Sequence, residues 1–117
     1  MNIRLCSLFS GSSGNATYIG NDNTHILVDS GLSGIKVKTA LKNIGIQPGA
    51  IDAIVITHEH TDHIQSAGVL SREFNIPIYA NENTWQAMEN KLGAISPKNI
   101  RLFYNDMDFY IDDINIS

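Results

Sequence analysis

Residues 57–63 read THEHTDH and hold three of the chain's four histidines, beside Glu59 and Asp62. Imidazole and carboxylate at this density suit the holding of a metal ion. Neutral imidazole offers a nitrogen lone pair, and a carboxylate is a hard oxygen donor. His58 and His60 stand two residues apart, so on an extended loop they point to the same side. Asp62 and His63 follow as the chain turns toward a helix. The four donors divide into two pairs that can serve two metals side by side, a known hydrolytic arrangement. An isolated histidine is usually a surface or core residue. Three histidines and an aspartate between 58 and 63 are hard to account for by packing. Glu59 faces away from its neighbours in an extended segment and is expected in solvent or behind the ligands.

Such donors need rigid supports. DAIVIT (52–57) is a short apolar run bounded by Asp52 and the histidines, the pattern of a buried strand. HIQSAGVLSREFN (63–75) carries Ile64, Ala67, Val69, Leu70 and Phe74 at helical spacing, with Gly68 against it. A strand end would present the donors and a helix start would fix the loop. Upstream, 2–9, 16–20 and 24–29 read as three strands of an antiparallel meander, joined by SGSSGN (10–15) and NDN (21–23). The spacing of Ile35, Leu41 and Ile44, with Val37 and Ala40 filling in, predicts a helix over 33–45, Ser33 its N-cap and Gly45 just past its end. Downstream, 76–80 reads as a strand, and 82–93 as a helix capped by Asn81 or Asn83 and stopped by Gly93. Residues 99–104 and 108–117 read as two strands of a hairpin around Asn105-Asp106. This order is that of an α/β fold, a mixed sheet with helices on at least one face.

A chain of 117 residues suits one domain or part of one, and 43% hydrophobic with 17% charged residues is an ordinary globular composition. No run is long and apolar enough to span a bilayer, so no membrane partner is expected. A lone Cys6 excludes an intrachain disulfide framework, and the N-terminus makes a poor signal peptide. Both favour a cytoplasmic protein. The net charge of −4 shows no basic stripe for nucleic acid, although a metal would bring positive charge of its own.

SGSSGN lacks the lysine ending of a phosphate-binding P-loop and leads into a strand, so it reads first as a turn. Another reading has its backbone and Ser12, Ser13 or Asn15 line the mouth of the site. Its serines have no base beside them for nucleophilic catalysis. His25 is expected as a strand or surface residue away from the cluster, and Cys6 as a small buried side chain. Trp85, Met88 and Leu92 form a core stripe at helical spacing.

THEHTDH resembles the H-x-H-x-D-H signature of the metallo-β-lactamase fold superfamily. ILVDSG (26–31) is similar to that superfamily's earlier motif, a strand ending in an aspartate, here Asp29, that steadies the histidine loop. FSGSSGNATYI (9–19) and IPIYANENTWQAM (76–88) resemble the WalJ/YycJ-like subgroup. The likeness runs over essentially the whole chain. It implies a layered αβ/βα sandwich, with residues 1–117 as its N-terminal αβ half. It also implies a pair of zinc ions, with manganese or iron as alternatives. His58 and His60 would hold the first ion, and Asp62 and His63 the second. Asp62 would also orient the attacking group as the catalytic residue, and Asp29 would brace the loop from behind. The superfamily draws its remaining ligands from its second half, and no histidine follows His63 here. The activity implied is hydrolysis by a metal-bound hydroxide, in this subgroup that of a phosphodiesterase acting on nucleic acid as a DNA exonuclease does. Two other readings stay open: a non-catalytic metal-binding half-domain, and an acyl hydrolase such as a thioesterase or lactonase. Half a sandwich exposes apolar surface, so a homo-oligomer through that face is expected.

Overall fold

The computed structural model describes residues 3–104 and 107–116. Six strands form one mixed sheet whose spatial order follows the chain. β1 (Arg4–Phe9), β2 (Ala16–Gly20) and β3 (His25–Val28) make the antiparallel meander expected of them. From β3 onward the pairing is parallel, through β4 (Ala53–Val55), β5 (Ile78–Ala80) and β6 (Ile100–Leu102). Parallel neighbours need a crossover, and helices supply each one. α1 (Gly34–Asn43) joins β3 to β4, α2 (Thr61–Ile64) and α3 (Ala67–Phe74) join β4 to β5, and α4 (Glu82–Leu92) joins β5 to β6.

Side chains of a strand alternate between the two sheet faces. Leu27, Ile54 and Ile78 therefore meet Val37 and Leu41 of α1, Leu70 of α3, and Trp85, Met88 and Leu92 of α4. One step out of phase, Ile26, Ala53 and Val55 pack on the opposite face against Ile111 and Ile114. Strand β4 is thus covered on both sides, and its sequence Ala-Ile-Val shows no alternation. Ile54 is fully buried, and removing a side chain of that size from water contributes about 1.5–3 kcal/mol.

The caps follow local chemistry. The Ser33 hydroxyl accepts from the Lys36 N–H at the start of α1, and the Asn81 side chain accepts from the Thr84 N–H at the start of α4. Gly45 and Gly93 lie past the ends of α1 and α4 at φ 83° and 77°, a conformation that costs a glycine little.

Several expectations need correction. The hairpin is formed by β7 (Phe109–Ile111) and β8 (Ile114–Ile116) around Asp112 and Asp113, the former at φ 50°. Asn105-Asp106, its expected turn, lies outside the described residues. β6 belongs to the main sheet because β5 offers it a parallel edge. The helix expected over 63–75 is two helices, and it starts earlier, at Thr61. Ser66 breaks it: its N–H donates to the Ser30 carbonyl at 2.9 Å and its hydroxyl pairs with that of Ser30 at 2.6 Å. Gly68 is an asset there, because a Cβ would lie 2.1 Å from the Leu92 carbonyl oxygen where α3 meets α4. Ile35 is 75% exposed, and Val37 takes the core position on α1. Cys6 is half-buried. Among the described residues no helix is long and apolar enough to cross a membrane.

The hairpin is tied to the meander by Asp113. Its carboxylate accepts from the Thr24 hydroxyl at 2.7 Å and the Asn21 amide at 3.1 Å, and these bonds hold its pKa below the ordinary value. A lowered pKa in the folded state means that stabilisation is present above about pH 4 and is lost as pH falls through the depressed value. Thermal melts between pH 7 and pH 3 should therefore show a smaller acid-induced fall in Tm for Asp113→Asn than for the wild type. Equal falls would show that this carboxylate does not couple the hairpin to pH.

Candidate metal centre

The C-terminal ends of β3 and β4 lie side by side, and the polar loops leave from them. The chain turns sharply after β3 at Asp29, whose φ of 63° is a left-handed conformation that aspartate tolerates better than most residues. The Asp29 N–H donates to the Val55 carbonyl at 2.8 Å. Its carboxylate is almost wholly buried, at 5% exposure for the residue. Three donors meet it there. Oδ1 accepts from the Thr57 N–H at 2.8 Å, and Oδ2 accepts from the Thr57 hydroxyl at 2.6 Å and from His63 Nδ1 at 2.7 Å.

The last contact fixes the chemistry of His63. A carboxylate can only accept, so Nδ1 carries the proton, and in the neutral ring Nε2 is left with a free lone pair. That atom lies 3.6 Å from Asp62 Oδ2. The His63 ring meets the His58 ring edge to face, centroids 4.9 Å apart, and the His58 and His60 rings stand 6.4 Å apart. His58 and His60 are exposed, whereas Asp62 and His63 are half-buried. All four expected donors thus lie within residues 58–63, and the Asp29 carboxylate stands against Nδ1 of His63. Asp62 and His63 lie within the single turn α2, and His60 is its N-cap. Glu59 is half-buried, and its carbonyl accepts from Lys91 Nζ at 3.4 Å.

The histidine loop is clamped from the other side by contacts the sequence did not announce. Ser30 N–H donates to the His63 carbonyl at 2.8 Å, and Asn15 N–H donates to the Asp62 carbonyl at 2.8 Å. Gly31 lies where these segments cross: a Cβ would fall 1.8 Å from the Asp62 carbonyl oxygen and 2.7 Å from the Asn15 nitrogen. The Asn15 amide reaches Asp62 Oδ2 at 3.2 Å and approaches His63 Nε2 at 3.5 Å. The available signal was the position of Asn15 at the end of SGSSGN; the serine pair Ser30–Ser66 gave none. His25 is elsewhere. It opens β3 at the far end of the strand, its Nδ1 2.6 Å from the Tyr18 hydroxyl. Burial of that hydroxyl raises the Tyr18 pKa.

The donor chemistry fits a divalent metal: unprotonated imidazole nitrogen beside carboxylate oxygen, with the outer imidazoles open to solvent. Among the described residues no three such groups stand close enough together to enclose an ion.

A mixed sheet with helical crossovers thus carries histidines just past the end of a buried strand, with an aspartate braced behind one of them. The chain belongs to the metallo-beta-lactamase superfamily, whose sequence pattern matches residues 10–114. Membership implies divalent metal ions. Exodeoxyribonuclease WalJ of Streptococcus pneumoniae is 46% identical over 111 residues, 93% of this chain and 41% of that protein. Exodeoxyribonuclease YycJ of Bacillus anthracis is 44% identical over 95 residues, 81% of this chain and 36% of that protein. The chain therefore spans less than half the length of these curated relatives. A metallo-beta-lactamase of Cronobacter sakazakii superimposes with a TM-score of 0.75 at 14% identity, covering 97% of this chain and 49% of its own. A class B3 di-zinc enzyme from an Alaskan soil metagenome gives 0.73 at 16% identity, covering 88% and 46%. At such identities the likeness is one of fold.

The bracing by Asp29 is testable without any metal. Asn at 29 would set an amide donor against at least one of the three donors now facing the carboxylate. Asp29→Asn should cost about 1.5–3 kcal/mol, the worth of hydrogen bonds to a charged group. It should also move the His63 proton from Nδ1, seen in long-range proton–nitrogen NMR of the imidazole. A full Tm with an unmoved tautomer would show that Asp29 does not set the ring.

Proposed function

We propose that this chain carries the histidine-rich half of a metal-dependent hydrolase, a phosphodiesterase that degrades DNA from an end, working in the cytoplasm. The observation that carries the reading is the buried Asp29 carboxylate on His63 Nδ1, which places the proton of the neutral ring there and makes Nε2 the atom available to ligate. The substrate class is supported by the names of the relatives at 44–46% identity. The activity proposed is that of the whole protein, since the matched span is 41% of the pneumococcal relative.

In this reading His58 and His60 hold one zinc ion and Asp62 and His63 a second, with manganese or iron as alternatives. Bound zinc supplies positive charge and lowers the pKa of water toward neutrality. The chain's own residues do the rest. His58 and His60, exposed just past the end of β4, would be open to an incoming phosphodiester. Asp62 is both ligand and orienter of the attacking group. Asp29 holds the proton of His63 at Nδ1 and away from the reacting side. Thr57 locks the loop to Asp29 through both its N–H and its hydroxyl.

A second reading has its own observation. In it, this span is a non-catalytic metal-binding half-domain; among the described residues no three donors are gathered around one point, and the superfamily's remaining ligands would come from outside residues 1–117. Nothing on the loop favours an acyl substrate over a phosphodiester, so that alternative is left to the assay.

Elemental analysis of the purified chain and of His58→Ala and Asp62→Ala tests the ligand set. Zinc or manganese should accompany the wild type and fall in both variants. The whole protein should release nucleotides from end-labelled DNA and leave thioesters intact. Undiminished metal in both variants would overturn the ligand assignment. Thioester cleavage without DNA cleavage would overturn the substrate class.

A further inference from the structure

We propose that Asn15 is a positioning residue of the metal loop: its side-chain amide sets the orientation of the Asp62 carboxylate beside His63. The proposal rests on the ligand set above and adds a residue from a different part of the chain.

Asn15 is held before it touches Asp62. Its N–H donates to the Asp62 carbonyl at 2.8 Å, and its carbonyl accepts from the Gly31 N–H at 2.9 Å. The side chain then closes the SGSSG turn on itself: Oδ1 accepts from the Gly11 N–H at 3.3 Å, and Nδ2 donates to the Gly11 carbonyl at 3.0 Å. These bonds also settle which end of the amide is which, because Gly11 N–H requires an acceptor and the carbonyls require donors. With the amide so oriented, Nδ2 also faces Asp62 Oδ2 at 3.2 Å and the Asp62 carbonyl at 3.3 Å, and stands 3.5 Å from His63 Nε2. Two hydrogens are shared among these acceptors.

The consequence concerns freedom of motion. The Asp62 side chain is 32% exposed, and among the described residues its carboxylate is paired with two side chains, the Asn15 amide by a hydrogen bond and His63 Nε2 at 3.6 Å. Without the amide, Asp62 would be free to leave His63 for solvent, and any ion using both groups would have to order the carboxylate itself. Asn15 carries that ordering in the fold. It donates to Oδ2, and Oδ1 has no hydrogen-bond partner among the described residues. The amide touches a ligand and not a reacting atom, so its role is one of placement. Partners of this kind are commonly worth about 10–100-fold in metal affinity.

The test is a zinc titration by calorimetry on the wild-type chain, Asn15→Ala, Asn15→Ser and Asp62→Ala, with the Tm of each metal-free protein. Ser33→Ala serves as control, because it loses the α1 cap and touches none of the donors. Asn15→Ala is expected to weaken zinc about 10–100-fold, with Asn15→Ser shifting the same way. Ser33→Ala should lower Tm and leave affinity unchanged. Wild-type affinity in Asn15→Ala, with loss in Asp62→Ala, would overturn this proposal and leave the ligand set standing. Equal binding by wild type and Asp62→Ala would overturn the ligand set, and this proposal with it. If Asn15→Ala does not fold, the side-chain amide resonances of Asn15 give the answer. They should shift on adding zinc to the wild type and in metal-free Asp62→Ala, and resonances that stay in place in both would overturn the proposal.

Discussion

The buried carboxylate of Asp29 is the contact on which the rest of the site depends. Removing an unpaired carboxylate from water costs several kcal/mol, so Asp29 is tolerable only because three donors reach it. Those donors belong to Thr57 and His63, and its own backbone N–H binds Val55. One side chain thus joins the end of β3, the end of β4 and the turn of α2. The same contacts that make the burial acceptable choose the tautomer of His63. Folding stability and ligand chemistry are therefore not separable at this point: a chain that leaves Asp29 unsatisfied loses both.

The sheet decides where this junction lies. Antiparallel pairing ends at β3 and parallel pairing begins there. From that strand on, all carboxyl ends share one edge, and in sheets of this type ligands gather outside the carboxyl ends of the strands. Asp29 leaves β3 and His58 follows β4 within three residues of its end. The crossover from β4 must climb back over the sheet, and it starts with the single turn α2, which itself carries Asp62 and His63. Ser30 and Ser66, both buried and bonded to one another, fix where that turn stops and α3 starts. The break in the helix is what allows His63 to look toward the strand ends while Leu70 looks into the core.

Much of this was legible because the deciding interactions are local. Ser33 and Asn81 cap the helices their positions predicted, and the stripe Trp85, Met88, Leu92 is buried as its spacing implied. The expected donors lie within residues 58–63, so residue type and spacing alone single them out as a group. What was missed depends on segments distant in sequence. The Ser30–Ser66 pair spans 36 residues and no local pattern encodes it; the Asn15–Asp62 contact spans 47, and the sequence offered only a reading that put Asn15 near the mouth of the site, without its partner. The hairpin failed for a related reason. Turn chemistry was present at Asn105-Asp106 and again at Asp112-Asp113. The choice was made by Ile111 and Ile114 reaching Val55 and Ala53 across the sheet. Gly68 read as a weakness in its helix, whereas it and Gly31 each admit a backbone carbonyl too close for any Cβ.

Electrostatics adds a constraint on any polyanionic substrate. The chain carries a net charge of −4, and its polar edge concentrates Asp29, Glu59 and Asp62 around imidazoles that are neutral when they ligate. Phosphate contacts in nucleic-acid binding usually come from lysine and arginine, and their strength follows from counterion release. Here Lys91 at this edge is turned to a backbone carbonyl. A phosphodiester would meet a surface that repels it unless divalent ions supplied the charge. In the proposed site, the carboxylates that make the edge acidic would be the groups that attract such ions and hold their ligands in place. In an acidic chain of this fold, the affinity for a phosphodiester and the affinity for metal should therefore rise and fall together, because the second supplies the attraction that the protein's own side chains do not.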